Sequence, residues 1–159
     1  MTETIQPSLI EYKIASTNHE RQQAFAVRHT VFVEEQNVPI DIERDEFDEA
    51  AIHIIATKNG IPVGTGRLVI ETDEAGRKRG RIGRVCILKA NRRQGIATGI
   101  MKEILKQAQQ LPDLKELYLH AQLSAKELYA GLGYVERGEV FAEAGIDHIE
   151  MFKSINHTS

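Results

Sequence analysis

The stretch "RVCILKANRRQGIATG", Arg84 to Gly99, decides how the rest of the chain is read. Its first part, "RVCILKA", is an apolar run with the pattern of a strand. Its second, "RRQGIATG", sets two arginines and small residues directly before a helix. Ile96, Ile100, Met101, Ile104 and Leu105 then recur at helical spacing, which predicts an amphipathic helix over about 95–110. A helix that opens straight after a strand points its unpaired N–H groups at one spot, and those groups with the helix dipole favour an anion. Gly95 and Ala97 let a ligand approach the backbone. Arg92 and Arg93 add charge and directed donors for phosphate oxygens. These residues describe a diphosphate cradle, with an ordinary basic helix start as the plainer alternative. The common phosphate loop that ends in Gly-Lys-Ser/Thr is absent from the chain. "GTGRLV" from Gly64 lies in a strand after a hairpin turn with no helix following, which sets aside a dinucleotide fingerprint.

Working outward, "LIEYKIA" (9–15) alternates as a half-buried strand, and Asn18 is the expected N-cap of the helix that carries Phe25 and Phe32. Asn59-Gly60 splits two β-rich runs and predicts a tight hairpin. Residues 82–89 and 115–121 read as further strands, and 135 onward as two more around Ala144-Gly145. Ser124 and Glu127 have the spacing of a capping box before a short helix that stops at Gly133. The order is βα, ββ, βαβα, ββ.

The 159 residues, 42% apolar and 27% charged, suit one soluble domain spanning 1–159, with 155–159 expected as a loose tail. No run approaches the ~20 apolar residues of a membrane span, and the opening "MTETIQPSLI" lacks the pattern of a secretion signal. The single cysteine, Cys86, rules out an internal disulfide and a cysteine zinc cage, and no metal site is expected. These features point to the cytoplasm. A net charge of −3 argues against coating nucleic acid, and the one basic run, "GRKRGR" (76–81), reads as a solvated loop tip.

Arg92-x-x-Gly95-x-Ala97 after a "V-x-I-L" strand resembles the coenzyme A loop of the GCN5-related N-acetyltransferase (GNAT) superfamily. "LHAQLSAKELYAGLGY" (119–134), "FAEAGIDHIEM" (141–151) and "VRHTVFVEEQ…IERDEFD" are similar to segments of a small bacterial single-domain subgroup, in the right order. Ala97 departs mildly from the glycine common there. The resemblance implies an α/β fold: a mixed, mostly antiparallel sheet of six to seven strands, splayed between the fourth and fifth, with about four flanking helices. It implies acetyl-CoA as acyl donor and direct attack by a primary amine of a small molecule in a ternary complex. Backbone groups at Val85, Cys86 and Ile87, with Gln122, would hold the pantetheine arm. Arg92, Arg93, Gln94, Gly95, Ile96, Ala97 and Thr98 would hold the diphosphate. Tyr129 matches the general acid.

The amine must lose a proton, since an alkylamine of pKa ~10 is mostly ammonium at neutral pH. Glu143 and His148 are candidate bases, with His120 a further one; a pair that merely orders the turn is the alternative. Cys86 in an apolar strand reads as core rather than nucleophile. Residues 34–49 hold eight carboxylates against one arginine. There Glu35, Glu43, Asp45 and Asp48 are expected to draw a cationic amine. Phe32 and Gln36 join them on the substrate side, and Arg28 either binds a substrate carboxylate or pairs with one of these acids. A longer-chain acyltransferase related to acyl-homoserine-lactone synthases, or a non-catalytic acyl-CoA-binding module, are the alternatives. Edge strands at the carboxyl end leave room for a homodimer.

Overall fold

The computed structural model describes residues 9–157. Its elements are β1 (Ile10–Ile14), α1 (Asn18–Arg28), α2 (Ile40–Glu43), β2 (Ile52–Lys58), β3 (Ile61–Thr72), β4 (Lys78–Ile87), α3 (Ile96–Gln109), β5 (Leu114–Gln122), α4 (Lys126–Gly131), β6 (Val135–Glu143) and β7 (Ile146–Ser154). The strands form a seven-stranded sheet in the order β1-β2-β3-β4-β5-β7-β6. All neighbours are antiparallel except β4 and β5, which α3 joins by the crossover that parallel strands require.

That one parallel pair opens the site. β4 and β5 pair only from Lys78/Leu114 to Ile82/Leu119. Beyond this point β4 stays registered on β3 as far as Ile87, and β5 stays on β7 as far as Gln122. Each strand is held by its outer neighbour, so the sheet parts between them. The register with β3 shifts where the strand parts, and Arg84 there has φ +55°. Such a bulge sharpens the local twist and re-aims side chains.

Strand alternation separates two layers. Ile54, Leu68 and Ile82 face α3, which buries Ile96, Ile100, Met101 and Ile104 against them. Each such side chain contributes about 1.5–3 kcal/mol on burial. Gly99 is required here because a Cβ would lie 2.0 Å from Cζ of Tyr12 on β1. The opposite face carries His53 and Arg67 and receives α1. From α1 the chain runs into wide π-helical turns, His29–Glu35, of the kind frequent at functional sites.

The hairpin at Asn59-Gly60 is observed, with φ of 52° and 82°. The α1 cap is Thr17 rather than Asn18: Thr17 Oγ1 accepts from the Glu20 N–H, and Glu20 Oε1 accepts from the Thr17 N–H, both at 3.1 Å. Only a residue three before Glu20 can close that reciprocal pair. The box expected at Ser124 and Glu127 does not form; α4 begins one residue later, after a 3-10 turn over Leu123–Ala125. Only Gly76 and Arg77 of the basic run sit in the turn; Lys78–Arg81 lie within β4, and Arg79 sits over the Tyr118 ring. Residues expected in a loose tail are anchored: Ile155 is buried and donates to the Lys115 carbonyl, and His157 bonds the Leu114 carbonyl at 2.6 Å. Thr158 and Ser159 lie outside the described residues. No helix among those described is long and apolar enough to cross a membrane.

Candidate active site

The loop from β4 to α3 ends in Gly95, whose φ of +78° a β-carbon would penalise. No side chain caps α3, and its first internal bond is Gly99 N–H to the Gly95 carbonyl. The N–H groups of Ile96, Ala97 and Thr98 therefore have no partner within the helix. With Arg93 and Gly95 these residues line a depression of about 240 Å³. Ile87, Arg92, Ala97 and Leu128 border both it and a cleft of about 490 Å³. That cleft runs along the parted strands.

Val85, Cys86, Ile87 and Gln122 line the cleft, as do Phe32 and Gln36 from the π-helical turns. Gln94 does not; it accepts a hydrogen bond from Lys58 at 3.1 Å, on the side of the β2–β3 hairpin. Arg92 is also placed otherwise than expected. Its Nη1 and Nη2 donate to both carboxylate oxygens of Glu35 at 2.6 Å, and its Nε donates to the Ile87 carbonyl at 3.0 Å. Glu35 thus fastens the π-helical turns to the loop, and it does not line the cleft. The Arg92 charge beside it holds its carboxyl below the usual range.

Tyr129 lines the cleft from α4, and its hydroxyl has no hydrogen-bond partner among the described residues. Burial pushes its pKa up to about 12, so it carries its proton at neutral pH. Burial also raises the Cys86 thiol far above its ordinary value, which leaves no thiolate for nucleophilic attack.

At the far end of the cleft stand Arg81, His120, Glu143 and His148. His148 Nδ1 lies 2.6 Å from the Ile146 carbonyl. A carbonyl only accepts, so Nδ1 bears the proton and Nε2 of the neutral ring keeps its lone pair. Nε2 is 3.8 Å from Glu143 Oε2, too far for a hydrogen bond within the turn. Arg81 Nη2 donates to His120 Nδ1 at 3.1 Å, which assigns that ring's proton to Nε2, facing Glu150 at 3.4 Å. His120 is a positioned, paired group; His148 is the free acceptor.

The other carboxylates expected to draw a cation are bonded to arginines instead. Arg28, completely buried, donates to Glu43 Oε1 and Asp48 Oδ1 at 2.6 Å each and to Asp48 Oδ2 at 3.0 Å. Arg67 donates to both oxygens of Asp45 and to Asp48 Oδ1 at 2.7–2.8 Å. Arg84 Nη2 reaches the Glu43 carbonyl at 2.9 Å and Asp45 Oδ2 at 3.3 Å. Three arginines from α1, β3 and β4 thus consume Glu43, Asp45 and Asp48. Burial opposes ionisation of Asp48, and the Arg28 hydrogen bonds outweigh it, holding its carboxyl well below the ordinary range. Arg28 takes the second role foreseen for it, pairing with the acids. Arg67, Arg81 and Arg84 all line the cleft, and sequence reasoning passed over them. The one available signal was Arg67 at an inward position of the otherwise apolar "VGTGRLVI".

A sheet parted beside an uncapped helix is a family trait, and the model of the acetyltransferase (GNAT) domain matches residues 16–155. The chain belongs to the GNAT acetyltransferases. YjcF of Bacillus subtilis, an uncharacterized N-acetyltransferase, is 36% identical over 141 residues, covering 88% of this chain and 96% of that protein. The structure of Escherichia coli ElaA superposes with a TM-score of 0.78 at 28% identity, covering 91% of this chain and 99% of ElaA. An acyl-CoA N-acyltransferase from Pseudomonas aeruginosa gives 0.76 at 30% identity, covering 92% and 99%. As a GNAT protein the chain fits acyl-CoA-dependent transfer.

Proposed function

We propose that this GNAT protein transfers an acetyl group from acetyl-CoA to a primary amine of a small molecule by direct attack within a ternary complex. One observation carries the reading: the depression at the open N–H groups of α3 adjoins, through Ile87, Arg92, Ala97 and Leu128, the parted-strand cleft lined by Tyr129 and His148. Diphosphate would sit on the N–H groups of Ile96, Ala97 and Thr98, with Arg93 adding charge. The parted stretch Val85–Ile87 would offer backbone groups to the pantetheine arm and an N–H to the carbonyl oxygen as it gains charge. An ammonium between Glu143 and His148 is held by the carboxylate and gives its proton to Nε2. The free amine attacks the thioester carbon, the C–S bond breaks, Tyr129 protonates the leaving thiolate, and the proton the nitrogen sheds on becoming an amide restores the Tyr129 hydroxyl.

The test is CoA release from acetyl-CoA across a panel of primary amines, with wild type beside Tyr129→Phe. Amine-dependent release that drops tenfold or more in the variant, a barrier change of ~1.4 kcal/mol or more, is expected. Equal rates would remove Tyr129 from the chemistry. Tight acetyl-CoA binding without release for any amine would favour a binding module.

A further inference from the structure

We propose that the acceptor is an amine that also carries an oxyanion, a carboxylate in the first instance, held over Gly83 by Arg67, Arg81 and Arg84. The inference deepens the acetyl-transfer reading and rests on it.

The register sets Gly83 on β4 directly opposite Arg67 on β3. A Cβ at Gly83 would meet only Arg67 Nε, at 4.0 Å, so the cleft wall has a gap above that guanidinium. Arg81, two residues earlier, shares the face, and the bulge at Arg84 brings a third guanidinium to the cleft. Each keeps donors in reserve. Arg67 uses both Nη atoms on Asp45 and Asp48, yet its Nε has no partner among the described residues. Arg84 uses Nε and Nη2 and leaves Nη1. Arg81 uses Nη2 and leaves Nε and Nη1.

Of the three carboxylates behind them, Glu43 and Asp48 are buried; Asp45 is 25% exposed but does not line the cleft. The side chains of Glu43 and Asp48 are 4% and 9% exposed, against 26% and 34% for Arg84 and Arg81. A ligand in the cleft therefore meets guanidinium edges. Burial, with the charges of Arg67 and Arg28, pulls Arg84 below the usual arginine range against the opposing charges of Asp45 and Glu43. Such N–H forks suit carboxylate or phosphate oxygens.

The spacing selects the rest of the acceptor. Arg81 Nη2 lies 3.4 Å from Glu143 Oε1, so the oxyanion and ammonium positions adjoin. An α-amino acid carries its two charges that close together. A polyamine would set its second cation on the arginines and is disfavoured.

The experiment compares CoA release for matched pairs, an amino acid against its decarboxylated amine: phenylalanine and phenethylamine, methionine and 3-(methylthio)propylamine, lysine and cadaverine. Phosphoethanolamine forms a separate arm. In at least one pair kcat/KM should favour the carboxylated member by about a hundredfold or more, because the analogue leaves the cleft's guanidinium donors unpaired. Arg84→Gln should cut that ratio at least tenfold, chiefly through KM. Gly83→Val, which leaves the ion pairs intact and fills the gap, should cut it likewise. Faster turnover of phosphoethanolamine than of every amino acid would assign the oxyanion to phosphate. Preference for the decarboxylated members, or a ratio unmoved by both variants, would overturn the proposal while the acetyltransferase reading stood. Were no amine to release CoA, titration of N-acetylphenylalanine and N-acetylmethionine into the CoA-bound protein separates the two. Saturable binding lost in Arg84→Gln keeps the oxyanion site without turnover, and its absence sinks it.

Discussion

Two acidic regions face the same cleft and are neutralised to different degrees. Residues 34–49 are crowded with carboxylates, yet Glu35, Glu43, Asp45 and Asp48 are all matched by arginines from other elements. The β6–β7 turn holds Glu143 and His148; Arg81 meets Glu143 Oε1 only at 3.4 Å, and both side chains line the cleft, Glu143 44% exposed. The density of charge in a sequence segment is therefore a poor guide to the charge a ligand meets. What counts is whether a countercharge arrives from elsewhere in the fold, and in the acidic stretch it arrives from α1, β3, β4 and the loop before α3.

The contrast is broken most strongly at Arg28. Arg28→Met strips the buried countercharge from Glu43 and Asp48, and a loss of about 3–5 kcal/mol of unfolding free energy is expected in denaturant titration. A loss under about 1 kcal/mol would mean that the cluster is not the buried structural unit described here. His148→Gln touches the other region. It should lower kcat/KM about a hundredfold with the melting temperature nearly unchanged; a fall in stability with activity intact would reverse the assignment.

Acid sharpens the comparison further. The Asp48 carboxyl is depressed in the folded state, so its contribution is fully present above the unfolded value near pH 3.8 and is lost as pH falls below it. Stability from this group should be flat between pH 5 and 8 and decline below about pH 4, a trend that Asp48→Asn should flatten. For Tyr129 the sign is opposite. Its folded pKa is raised, so the group stays protonated through pH 10 and loses its proton only near 12. Tyr129→Phe should lower the whole pH–rate curve below pH 10 without moving its limbs; a basic limb that vanished in the variant would contradict the raised value. Smallest is the Arg92–Glu35 pair. Glu35→Gln frees the Arg92 fork at the edge of the depression before α3, and KM for acetyl-CoA should fall about two- to fivefold, less at high salt.

Much of the architecture was legible because it rests on local periodicity. The apolar spacing of α3, the Asn59-Gly60 turn and the alternation in β5 each follow from the chain's own backbone rules, and the observed elements fall within a few residues of those expected. Errors came where two local signals competed. Thr17 and Asn18 both suit an N-cap, and Glu20 decides between them. The polar "GRKRGR" run looked like a turn because its charges are paired by Glu71, Glu143 and the Tyr118 ring, none of them near in sequence.

By itself the sequence determined the strand-loop-helix unit around Gly95, the tyrosine at the end of α4 and the Glu143/His148 turn, since each lies within one short segment. Only the tertiary structure decided how far β4 and β5 stay together, which carboxylates are spent, and that Arg67, Arg81 and Arg84 converge above Gly83. Those outcomes depend on register between distant strands. One residue of slip would send each of these side chains to the opposite face, and no local pattern encodes that choice.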